Sequence, residues 1–286
     1  MDKSIRLSAF IMTGIITVLV IAPFLLMLSV SLQSDSEIYS SSLTIIPERF
    51  KFDNYARVFE YGDWIRYFYN SVIVTVISTG VSLLINSMAG YVFARIPFRF
   101  SNTLFVIVLI GMMIPVQVTM IPVFTMLSNF PFLGGNDILG QGGSGLYDTL
   151  TGLILPFIAG SFGVFLCRQY YLTLPKELDD AAAIDGCGRF MAYCRVYFPL
   201  SGPLFASLGV IKFAGSWNEY TWPLIMTRSD RTRTVQLALS LFRTESGIDW
   251  SRLMAASVLI SLPVLIIFFT SQKHFISGLT SGSVKG

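Results

Sequence analysis

The sequence predicts an all-α fold. It is a polytopic membrane helix bundle of six transmembrane helices with N and C termini cytoplasmic. A short helix rides on the cytoplasmic connection between spans four and five. Three observations predict this. Hydrophobic residues make up 53% of the 286 and charged residues 13%, against about 25% charged in an average soluble domain. A folded chain this long could not cover itself with polar groups, so lipid must solvate much of its surface. Mean hydropathy is +0.65, and six apolar stretches are long enough to cross a bilayer, which takes roughly 20 residues. The connection at 173–199, in contrast, is polar and helical in pattern.

The spans read as 8–32, 70–94, 103–126, 149–172, 200–226 and 251–272. The first follows the basic start Met1–Arg6, is too long for a signal-peptide core and has no small-residue cleavage site behind it, so it reads as a retained anchor. Residues 33–69 are long and mixed in charge, while 127–148 carry a glycine cluster (Gly134–Gly135 and Gly140–Gly145) expected to form turns. Segment 227–250 holds Arg228, Arg231, Arg233 and Arg243. Lys3, Arg6, Arg95, Arg99, Arg168, Lys176, Arg189, Arg195, Lys273 and Lys285 crowd the shorter, alternate connections, which places those in the cytoplasm. Net charge is +3, which gives no reason to expect a nucleic-acid partner. A lone His274 and three cysteines exclude most multi-ligand zinc sites and any disulfide framework.

Polar groups at membrane depth are costly and should face other helices or water. Asn86, Gln117, Lys212, Asn218 and Glu219 are such groups. They line a hydrated pathway or hold helices together, and both readings stay open here. Lys212 and Glu219, seven positions apart, would share a helix face about 10 Å apart along the axis. Trp217, Tyr220 and Trp222 add aromatic faces that suit either a sugar or an interfacial belt. Pro115, Pro122, Pro156 and Pro263 interrupt helical hydrogen bonding within spans three, four and six.

The most informative segment is Leu174 to Arg189. Pro175 suits a first helical position, and Glu177, Asp179 and Asp180 put negative charge in the first turns, where the helix dipole favours it. Ala181–Ala183 are helix formers with almost no bulk, and Gly186 supplies the left-handed stop. The product is a short rod with a flat face, held at both ends by spans. Such a plug fits a groove on another protein.

This segment resembles the cytoplasmic coupling signature of ABC-importer membrane subunits, in which Glu-Ala-Ala is followed three residues later by Gly. The matching residues are Leu174, Pro175, Leu178, Ala181, Ala182, Ile184, Asp185, Gly186, Phe198, Pro199, Leu200 and Pro203. Asp180 stands where Glu is usual and Cys187 where Ala is usual. Trp217–Leu224, Met254–Ser257 and the tail Phe275–Gly286 are similar to the maltose-type second permease of the carbohydrate branch. The resemblance implies one permease domain over 1–286, with the coupling loop at 174–199, in a bacterial or archaeal cell (inner) membrane. It implies a heterodimer with a second homologous permease, an ATPase subunit dimer below and an extracellular solute-binding protein delivering a sugar substrate from above. Glu177, Asp180, Ala181, Ala182, Ile184, Asp185 and Gly186 would then couple to the ATPase. Asn86, Gln117, Lys212, Trp217, Asn218, Glu219 and Tyr220 are the candidates for the translocation path, and the tail 278–286 would reach the ATPase partner. The chain itself would bind no cofactor, ATP and Mg residing on the partner ATPase.

The chain's own residues agree with that division of labour. No Gly-x-x-x-x-Gly-Lys-Ser/Thr is present to cradle phosphates, and no catalytic constellation appears on one face of an element. An ion-coupled secondary transporter is the alternative; it predicts ionisable groups near the midplane of several helices and inverted repeats, whereas only span five carries charge there.

Overall fold

The computed structural model describes residues 3–40, 45–244 and 247–280. The last six tail residues, Ser281–Gly286, which include Lys285, lie outside them, so the expected tail contact falls there. Contacts divide the chain into two compact units, residues 1–66 with 238–263, and residues 67–237 with 264–286.

The first unit begins with α1 (Lys3–Ser31), which carries Pro23 inside it. Its most apolar 18-residue stretch buries nothing within the chain, and only its end, at Ser31, is covered; a helix this apolar with bare flanks is solvated by lipid or by another subunit. Two short helices follow, α2 (Asp35–Ile38) and α3 (Asp53–Val58). The Asn54 side chain donates to the carbonyls of Ser31 (3.0 Å) and Gln33 (2.9 Å), closing α3 onto the end of α1. The strands Arg243–Thr244 and Gly247–Ile248 pair antiparallel, and this hairpin is a small departure from an all-α expectation. Trp64 stacks on Phe242 with centroids 5.5 Å apart.

The second unit holds most of the apolar helices. The long helix α4 (Trp64–Arg95) starts earlier than the expected span at 70. The expected span 103–126 is two helices, α5 (Ser101–Met113) and α6 (Val116–Ser128), bent by 103°. Pro115 explains the break: a residue before proline is pushed out of the helical region, and Ile114 is extended at ψ 118°. Span four is also two pieces, α7 (Leu150–Ile154) running on as a 3-10 turn to Phe157, and α8 (Ser161–Thr173), bent by 44°. Next come α9 (Glu177–Ile184), α10 (Arg189–Ala192), a π-helical turn at Tyr193–Tyr197 and α11 (Phe198–Leu200). A 77° bend at Ser201 leads into α12 (Gly202–Trp217). That helix stops short of the expected 226; α13 (Thr221–Met226) and α14 (Val235–Ala238) follow. The last helix, α15 (Trp250–Thr280), runs unbroken through Pro263. Among the described residues, three helices can cross a membrane by length and composition, or up to six if each bent pair is one span.

Close backbone approach sets the packing of α4 on α8. A Cβ at Gly90 would stand 2.4 Å from Cys167 Cβ and 2.8 Å from the Arg168 nitrogen, distances no side chain tolerates. The glycine-rich connection is a compact built loop. Asn136, buried at its centre, donates to the carbonyls of Ser128 (2.9 Å) and Phe130 (3.0 Å) and accepts from Gly143 N (2.9 Å). Asp148 ties the loop's end to the connection after α13. Its N–H donates to the Met226 carbonyl (2.9 Å), and its Oδ1 accepts from Arg228 N (3.0 Å), Ser229 N (3.1 Å) and the Thr232 hydroxyl. Burial pushes the Asp148 carboxyl up, but these donors outweigh it and hold the carboxyl down at about 2.

Candidate functional site: a mounted short helix and a cavity between broken helices

Helix α9 is built as expected at its end and differently at its start. Cys187 N donates to the Ala182 carbonyl (2.8 Å) and Gly186 N to the Ala183 carbonyl (3.1 Å). With Gly186 at φ +72°, this is the Schellman arrangement that satisfies orphan carbonyls. Pro175 is not the first helical residue: it holds Leu174 extended at ψ 148°, and the helix begins at Glu177. The rod is therefore not continuous with the fourth span.

A clamp mounts it instead. Arg95, the last residue of α4, donates through Nε (3.1 Å) and Nη2 (2.6 Å) to the Tyr171 carbonyl, through Nη2 to the Leu174 carbonyl (2.5 Å), and through Nη1 to Asp179 Oδ2 (3.1 Å). The Tyr197 hydroxyl, from the π turn, donates to Asp179 Oδ1 (2.6 Å), and the guanidinium lies 5.3 Å from the Tyr197 ring centre. Tyr91, Tyr171, Tyr193 and Tyr197 pack around this point with Leu204 and Leu208. Tyr193 shares a 2.6 Å hydrogen bond with Ser87, and Tyr171 one of 2.8 Å with Ser201. Asp179, expected to serve the helix dipole, is thus the rod's anchor. Arg95 and Tyr197 were not legible as site residues, because nothing local in sequence connects positions 95, 179 and 197.

The remaining coupling candidates divide by face. Ala182 is buried at 4% exposure; it turns toward the chain's own interior, which corrects its expected place on the docking face. Glu177, Asp180, Ala181, Asp185 and Gly186 are exposed, and Ile184 is 86% exposed. Nothing stands within 4 Å of a Cβ added at Gly186.

The second place is a cavity of about 630 Å³ between the halves of the broken spans. Its wall includes Gly111, Ile114, Thr119, Met120, Phe157, Gly160, Ser161, Lys212, Glu219 and Trp222. Lys212 and Glu219 both line it, but α12 ends at Trp217, so they do not share a helix face as expected. No ion pair joins them. Glu219 Oε1 accepts from Trp222 N (2.9 Å), capping α13, and Trp222 Nε1 donates to the Gly152 carbonyl (3.1 Å).

Five expected path residues lie elsewhere. Asn86 is fully buried, donating to Ser82 Oγ (2.7 Å) and accepting from Gly160 N (3.1 Å). It therefore holds α4 to the break before α8. Trp217 is buried against Phe213, its ring stacked at 5.9 Å. Asn218 accepts from Gln236 (3.0 Å), and Tyr220 is 41% exposed. Gln117 is exposed in the first turn of α6, beside the wall and not on it. Thr119 and Ser161, which the wall does include, carried no signal in the sequence. Among the described residues no group of three His, Cys, Asp or Glu gathers to hold a metal.

The family described as "Binding-protein-dependent transport system inner membrane component" matches residues 83–281. The chain belongs to this family. The permease is 38% identical over 285 residues to the arabinooligosaccharides transport system permease protein AraQ of Bacillus subtilis (strain 168), covering 99% of this chain and 96% of that one. It is 32% identical over 265 residues to the lactose transport system permease protein LacG of Rhizobium radiobacter, covering 93% and 91%. A chain from the crystal structure of a bacterial ABC transporter involved in the import of the acidic polysaccharide alginate matches the permease at TM-score 0.81. Identity there is 20%, with 96% of this chain and 99% of that one covered. At that identity the likeness is one of fold.

Proposed function

We propose that this permease is the membrane-spanning subunit of an ATP-driven ABC importer for a sugar or oligosaccharide, fed by an extracellular solute-binding protein. In this reading the bent pairs each make one span, giving six with both termini cytoplasmic. A second homologous permease completes the conduit, and an ATPase dimer docks on α9. The family and the sugar-transport relatives support the transport class. The observation that carries the coupling role is the mounting of α9. Its back is fixed by Arg95 and Tyr197, while its front offers Ala181, Asp185 and an almost fully exposed Ile184. A bare isoleucine on a polar cytoplasmic loop is best accounted for by a partner that covers it.

ATP binding to the partner dimer then displaces α9, and the clamp passes that displacement to α4 and to the π turn leading into α12. The energy comes from ATP on another chain, and this chain supplies the two-state element. The test is copurification. The wild-type permease retains its ATPase subunit, and Ile184→Glu loses it while inserting at a normal level. Retention of the ATPase by Ile184→Glu together with wild-type uptake overturns the docking role. An ion-coupled transporter would hold no ATPase at all.

A further inference from the structure

We infer that Lys212 selects for sugars that carry an anionic group, a carboxylate or a phosphate, over neutral ones; this rests on the sugar-import function proposed above. Among the described residues Lys212 has no carboxylate within ion-pair distance and no hydrogen-bond partner, yet its side chain lines the 630 Å³ cavity at membrane depth. An ammonium there has three donors to satisfy, and an ionisable group within a span marks a ligand pathway unless a partner neutralises it. The other charged residue on the wall is already engaged, since Glu219 Oε1 accepts the Trp222 N–H at the start of α13.

Position strengthens the assignment. A Cβ at Gly160 would stand 3.1 Å from Lys212 Nζ, so the ammonium rests against the break in span four, and glycine at that point leaves it room. Gly160 is held there by Asn86 (3.1 Å). Gly160 and Ser161, which start α8, line the same cavity, and a half-helix start in a membrane has the same sign of field as the lysine. The volume is within the range of small-molecule sites, large enough for a sugar unit to stand between the ammonium and any facing chain.

The experiment uses the intact importer, with partner permease, ATPase and solute-binding protein, in proteoliposomes. Probes are trigalacturonate, a hexose phosphate and arabinotriose. The expected result is ATP-dependent uptake of trigalacturonate or the hexose phosphate at least tenfold faster than arabinotriose, and whichever charged probe is carried identifies the anion. Lys212→Met lowers that uptake tenfold or more, Lys212→Arg keeps most of it, and arabinotriose uptake is unchanged or raised. Wild-type preference for arabinotriose, or a Lys212→Met importer with unaltered selectivity, overturns the inference and leaves the import function standing. An equal loss on all probes in both variants assigns Lys212 to pairing with the partner permease and also overturns it. If Lys212→Met fails to assemble, Lys212→Gln is read in its place. An assembled wild type that carries neither charged probe overturns the inference and leaves the import function standing.

Discussion

The clamp under α9 gives the sharpest quantitative expectation. Asp179→Ala removes the acceptor of two charge-assisted hydrogen bonds, one from Arg95 at 3.1 Å and one from Tyr197 at 2.6 Å. Bonds to charged groups contribute about 1.5–3 kcal/mol each, and breaking a buried pair from one side costs about 3–5 kcal/mol. The Arg95 side chain is 5% exposed but Asp179 is 24% exposed, so solvent screening lowers the expectation to about 2–4 kcal/mol. Arg95 keeps its carbonyl acceptors at Tyr171 and Leu174, which localises the loss to the mounting of α9. At about 1.4 kcal/mol per tenfold, the detached form gains roughly 30- to 700-fold in population. Hydrogen exchange of the α9 amides in the assembled importer should rise accordingly, with coupled uptake falling while membrane insertion holds. Asp179→Asn keeps an acceptor for Tyr197 and should fall between wild type and alanine. Unchanged α9 exchange and uptake in Asp179→Ala would refute the argument.

Other expectations follow from single contacts. Gly186→Val should lose coupled uptake through backbone strain of about 1–2 kcal/mol, because φ is +72° with open space around the position; Gly186→Asn should retain more activity. Gly90→Ala drives a Cβ into Cys167 and the Arg168 nitrogen, and should lower thermal stability in detergent by about 1–3 kcal/mol. Cys167→Gly should rescue it only in part, since the backbone contact at 2.8 Å remains. Asp148, with its folded pKa lowered from 3.8 to about 2, binds its proton less readily folded than unfolded. Its contribution is therefore complete above about pH 4 and lost as pH falls toward 2. Amide exchange at Arg228 and Ser229 should accelerate only in that window, and at every pH in Asp148→Ala.

Much of this architecture was legible from composition, because apolar length alone marks a membrane segment. Direction was not. Hydropathy runs on through Ile114 and Pro115, so the 103° bend there reads as one span even though Pro115 carries the cause. The end of α9 was readable at Gly186 because a left-handed stop has a local signature; its start was misplaced because Pro175 here sets an extended link. Lys212 and Glu219 share a cavity wall without pairing; helical spacing does not relate them, because the helix stops at Trp217. Asn86 has the same composition signal whether it faces a pathway or Gly160, and only coordinates separate the two.

The geometry of the Asp179 mounting has a mechanical corollary. A lever pinned at one point pivots, and most of a push on its tip is dissipated as rotation. Here the foot of the rod is bolted both to the exit of α4 and to the turn that feeds α12, with Tyr171 of α8 stacked edge-on against both tyrosines. A load applied at Ile184 would therefore be shared among three legs, where a single pin would let the rod swivel.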